Sequence, residues 1–83
     1  MHLYNARIEL AHEGPTSEVT EQISAALKHY EPSVRRTAIG RLEVRLTLTA
    51  EDLMLATVTA LSVVWTAVGA EPIAIHTSQA LDT

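Results

Sequence analysis

Arg41-Leu42-Glu43-Val44-Arg45-Leu46-Thr47-Leu48-Thr49 alternates polar with aliphatic side chains at every step. A period of two marks a strand with one buried and one wet face, because successive Cβ atoms point to opposite sides of a pleated chain. Leu42, Val44, Leu46 and Leu48 therefore define a core face, and Arg41, Glu43, Arg45 and Thr47 a solvated one. Gly40 marks a turn just before this strand, and Ser33 to Thr37 is a short strand candidate beyond it. Ile39 then sits at the tip of a hairpin, where an apolar side chain has little reason to be unless it meets a partner.

Working towards the N-terminus, Tyr4-Asn5-Ala6-Arg7-Ile8-Glu9-Leu10 alternates in the same way and reads as a second half-buried strand. His12-Glu13-Gly14-Pro15 breaks it. Thr16 or Ser17 can cap a helix running to about Tyr30, with Val19, Ile23, Leu27 and Tyr30 on one side and Glu18, Glu21, Gln22 and Lys28 on the other. Pro32 ends it. Towards the C-terminus, Thr49 and Asp52 have the spacing of a capping box at the start of a second helix. That helix runs to about Val68, where Gly69 supplies a left-handed end. Pro72 to Thr77 is a last strand, and the tail from Ser78 is expected to fray.

The second helix has no charged residue between Leu53 and Ala70, a length approaching that of a bilayer span. Leu53, Met54, Val58, Leu61, Val64, Trp65 and Val68 nevertheless gather on about 140° of the helical wheel, with Thr59, Ser62 and Thr66 opposite. The expectation is a core helix resting on the sheet through this wide face, not a membrane segment.

The element order β-α-β-β-α-β, with right-handed crossovers, predicts an α+β fold of ferredoxin-like type. Residues 1–83 then form one domain, a four-stranded antiparallel sheet with both helices on one face. Ala6, Ile8, Leu10, Leu42, Val44, Leu46, Leu48, Ile73 and Ile75 are expected to point at the helices. The first and third strands are central neighbours in this arrangement, so Arg7 and Glu9 face Glu43 and Arg45 as cross-strand ion pairs.

Composition narrows the function. The chain has 83 residues, no cysteine and a formal net charge of −4, and it opens without a charged segment followed by an apolar run. These features point to a small cytoplasmic protein without disulfides or thiolate metal sites, and they argue against non-specific binding to nucleic acid or membrane. Five of the six basic residues, Arg7, Arg35, Arg36, Arg41 and Arg45, nonetheless fall in strand segments. A locally basic sheet face on an acidic protein is the expected partner-binding surface, composed of Arg7, Glu9, Arg35, Arg36, Ile39, Arg41, Glu43, Arg45 and His76. RNA-binding sheets of this topology stack bases on exposed aromatics, and this chain has only Tyr4, Tyr30 and Trp65, the last two read as core, so a nucleic-acid role ranks last. The four histidines, His2, His12, His29 and His76, show no metal-ligand spacing. No nucleophile motif or phosphate loop is present, and no cofactor, metal or catalysis is expected.

Two resemblances add to this. The His12-Glu13-Gly14 loop, leading from a strand into a helix N-terminus, resembles the ligand loop of ACT domains, which bind amino acids between subunits. It departs from them in opening its helix with Thr-Ser-Glu rather than apolar residues. The resemblance implies an alternative function as an amino-acid sensor. The tract from Arg41 through Thr49-Ala50-Glu51-Asp52-Leu53 is similar to small uncharacterised proteins of actinobacteria and their phages, which implies a small accessory or host-interacting factor. The leading expectation is a non-enzymatic module acting through protein–protein contacts, as a homodimer or against another protein.

Overall fold

The structure, a computed structural model, describes residues 1–14 and 16–80; Pro15 and residues 81–83 lie outside the described residues. Four strands, β1 (His2–Glu13), β2 (Ser33–Arg36), β3 (Arg41–Ala50) and β4 (Pro72–Gln79), form one antiparallel sheet in the order β2-β3-β1-β4. Two helices, α1 (Ser17–Ala26) and α2 (Leu53–Val68), complete an α+β fold. Tyr4, Ala6, Ile8 and Leu10 of β1 and Leu42, Val44, Leu46 and Leu48 of β3 are buried in one cluster with Ile23 of α1 and Val64 of α2. Both helices therefore cover the same side of the sheet.

The strands exceed the alternating stretches because pairing, not pattern, decides where they end. β1 lies between β3 and β4, and its ladder with β3 reaches His2↔Ala50. Ser78 and Gln79, expected to fray, pair with Asn5 and Tyr4, and the Ala80 N–H donates to the Leu3 carbonyl at 2.8 Å. Ile73 lies beside a register shift in the β1–β4 ladder and is exposed, whereas Ile75 packs on the core.

Local capping shapes the helices. Thr16 Oγ1 accepts from the Val19 N–H at 3.2 Å, starting α1 as its sequence predicts. Regular helix stops at Ala26, and the chain tightens into a 3-10 turn over Lys28–Tyr30 before Glu31 takes a left-handed φ of 49°. Asp52, not Thr49, caps α2: its Oδ1 accepts from the Leu55 N–H at 2.8 Å. Thr49 is still paired with Leu3 in the sheet and cannot turn to cap a helix. Gly69 ends α2 with φ 73°, and its N–H donates to the Trp65 carbonyl.

The seating of α2 corrects most of the wheel-based expectation: of the seven expected core residues, Val64 is buried and Val68 packs on the core, and the others are turned outward or half-buried. Ala56, Ala60 and Val64 are the buried residues of this helix, with Val63, Ala67 and Val68 packed around them. Met54, Val58 and Trp65 are 78%, 57% and 53% exposed, Leu53 is exposed as well, and Leu61 is only half-buried. The reason is volume. The sheet already supplies Tyr4, Ile8, Leu10, Leu42, Leu46 and Leu48 to the core, so a helix fits over it only through small side chains. The helix carries no charge, and its Ser/Thr side, with Ser62 and Thr66 in solvent, is compatible with this seating. Among the described residues, no helix is long and apolar enough to cross a membrane.

Substitution should reveal this orientation directly. Ala60→Leu forces new volume between α2 and the sheet and is expected to destabilise by about 1–3 kcal/mol. Met54→Ser, on the exposed side, is expected to change stability by no more than about 0.5 kcal/mol. Urea denaturation of both variants checks the pair, and a larger loss in Met54→Ser than in Ala60→Leu would place α2 the other way round.

Candidate functional site

The face of the sheet without helices is built by the same alternation that builds the core. Arg45 lies opposite Arg7, and Arg7 opposite His76, so a basic row crosses β3, β1 and β4. The adjacent row is Arg35, Glu43, Glu9 and Ala74. A third row is uncharged, with Thr47, Asn5 and Ser78 in register and the Thr47 hydroxyl donating to Asn5 Oδ1 at 3.2 Å.

This register corrects the expected pairing. Directly opposed residues carry like charges, Arg7 against Arg45 and Glu9 against Glu43, an arrangement that is unfavourable by itself. Ion pairing runs to one carboxylate instead. Glu43 receives the Arg7 Nε at 3.3 Å across the diagonal, the Arg45 Nε at 3.6 Å along its own strand, and the Arg35 Nε at 3.6 Å from β2. Its side chain is only 10% exposed, whereas those of Arg7, Arg35 and Arg45 stay about half exposed, at 51%, 54% and 45%. Glu43, expected as a solvated carboxylate, is thus sealed beneath three guanidinium groups.

Three arginines against Glu43 and Glu9 leave this patch at +1 with His76 neutral, on a chain of net charge −4. An arginine anchored on one side by a carboxylate keeps further N–H donors for a planar anionic group, and less side-chain entropy remains to be lost when that group binds. Two open depressions flank the basic row. One, of about 420 Å³, is lined by Arg7, Arg35, Thr37, Glu43 and Ala74; the other, of about 380 Å³, by Asn5, Ser33, Arg45, Thr47 and Ser78.

The remaining expected residues divide between this patch and a second location. Arg36 pairs in register with Leu42, so it belongs to the helix side of β2, and its stem lies over Gly14. A Cβ on Gly14 would come within 2.7 Å of the Arg36 Cγ and Cδ, which gives the glycine a packing role. Arg41 is opposite Glu13 at the end of the sheet. Ile39 is 73% exposed at the β2–β3 tip, beside His12 and Glu13. The Gly14 N–H, a donor the expected ligand loop would offer, is taken by the Gly40 carbonyl at 2.7 Å. His12, Glu13, Gly14, Ile39 and Arg41 therefore form a separate end of the molecule. Thr47 lies on the open face as its alternation predicts, and Asn5, Ser33 and Ser78, absent from the expected set, complete that face at positions that share the parity of the arginines.

Comparison with known proteins gives no match. No protein-family model, no curated protein and no solved structure is significantly similar to the chain. The site therefore has to be read from its own chemistry.

A carboxylate shared by three arginines makes its contributions non-additive. Arg7→Ser, Arg35→Ser or Arg45→Ser singly is expected to cost less than about 1 kcal/mol, because each exposed pair is weak and two guanidiniums remain. The triple variant is expected to cost more than the three singles together, because it leaves the buried Glu43 unpaired. Adding Glu43→Gln to the triple variant should restore part of that excess. Chemical denaturation of the series measures each term.

Proposed function

We propose that this chain is a non-enzymatic binding module of ferredoxin-like fold that docks a protein partner on its open sheet face. The fold reading is supported by the β-α-β-β-α-β order, by β1 and β3 as the central strands, and by the common core beneath both helices. The observation that carries the functional reading is the gathering of Arg7, Arg35 and Arg45 on the buried Glu43. Such an array, open to solvent and broad, suits carboxylate groups displayed on a protein surface, which arginine forks can accept in pairs.

Nucleic acid is the weaker candidate for the same face. Tyr4 is buried on the opposite side of the sheet, and Tyr30 and Trp65 belong to the helical layer, so the arginines have no aromatic platform between them for stacking a base. Amino-acid sensing at the Gly14 loop, at the Glu13–Arg41 end of the sheet, is the other alternative.

A glutamate oligopeptide serves as the probe. In a titration followed by backbone amide NMR, shifts are expected at Arg7, Arg45, His76 and their neighbours. Binding should weaken as salt is raised. The variant carrying both Arg7→Ser and Arg45→Ser should bind about tenfold more weakly or worse, a loss of ~1.4 kcal/mol. Shifts confined to residues 12–14 on adding free amino acids, with none from the acidic peptide, would favour the sensor. Tighter binding of an oligonucleotide than of the peptide would favour nucleic acid.

A further inference from the structure

A second surface, on the other side of the molecule, is as unusual as the arginine patch. Met54, Val58, Leu61 and Trp65 follow one another along α2 at steps of four, three and four residues, and Val68 continues the series three residues later. That is the spacing of a helix–helix seam. At 100° per residue the mean direction of the first four lies about 130° from that of Ala56, Ala60 and Val64, which face the sheet, and Leu61 flanks the buried side. Met54, Val58 and Trp65 are each more than half exposed, and no charged side chain occurs in the helix from Leu53 to Val68. Soluble proteins rarely leave a continuous apolar stripe of this kind in water.

We propose that the exposed stripe of α2 pairs with the same stripe on a second copy of the chain. A two-fold axis across α2 sets the seam against itself, so that large side chains on each helix meet the gaps between those on the other. The uncharged surface selects this occupant. Two copies of an acidic chain can approach here without bringing like charges together, while a charged partner would find no side chain to pair with. A membrane surface fits less well, because helices lying in the lipid interface carry Lys or Arg along their polar face and α2 has neither. The result is a four-layer assembly, sheet-helix-helix-sheet, with the arginine face of each copy directed outward. Such a dimer is bivalent towards the partner of the sheet face. The 16 residues of α2 span about 24 Å, so the contact is small and the dimer dissociates readily on dilution.

Trp65, the single tryptophan of the chain, lies in the seam and reports on it directly. Sedimentation equilibrium of the wild-type chain is expected to show the mass rising from 9.0 kDa towards twice that value with concentration. The Trp65 emission should move to shorter wavelength over the same range. Val58→Glu should keep the protein monomeric, and Met54→Lys, at the most exposed position of the seam, should weaken association at least tenfold if Val58→Glu fails to fold. The variant with both Arg7→Ser and Arg45→Ser should still dimerise, which separates this proposal from the one made for the sheet face. A mass fixed at 9.0 kDa at the highest concentration overturns the pairing. So does a doubled mass with unchanged Trp65 emission, or a dimer lost with the arginines and retained in both helix variants.

Discussion

The ladder between β1 and β3 is the constraint on which the rest of this small protein depends. It pairs Ile8 with Val44 and Leu10 with Leu42 on one side, and Arg7 with Arg45 and Glu9 with Glu43 on the other. Side chains alternate with a period of two, so a slip of one residue would turn the aliphatic set of one strand into water and its charges into the core. Burial of Ile8, Leu10, Leu42 and Val44 makes that slip very costly. The same register forces like charges together on the wet side, and the face is stable because the ion pairs run diagonally and along the strand to Glu43. Core and candidate site are two consequences of one pairing.

The seating of α2 follows from the bulk that the ladder presents. Large side chains from two central strands leave shallow room above the sheet, and Ala56, Ala60 and Val64 fit it. Larger residues of α2 are then turned away from the core. A helix used in this way has two apolar surfaces, one closed by the sheet and one left over. The leftover surface belongs to the helical layer and the arginine patch to the open face of the sheet, so the two share no residues.

Much of the fold is legible in the chain. The alternation of Arg41 to Thr49 and of Tyr4 to Leu10 identifies the two central strands, and Thr16, Gly40, Gly69 and Pro72 mark most of the boundaries, because caps and left-handed turns depend on a few neighbouring atoms. The parity of Arg7, Glu43 and Arg45 likewise places them together on the open face. These features are local, and local chemistry is what a sequence states most directly.

What only the tertiary structure decided depends on neighbours far apart in the chain. Cross-strand register determined that Glu43, and not Glu9, becomes the buried hub, since a carboxylate's surroundings depend on which arginines arrive from β1 and β2. Pairing with Asn5 and Tyr4 ordered Ser78 and Gln79, which have no strand signal of their own. The orientation of α2 could not be read from its wheel, because a helix without charges has only a weak Ser/Thr side to anchor the choice. There the sequence determined that the segment is a buried-type helix, and the volume already filled by the sheet determined which of its two apolar faces is buried.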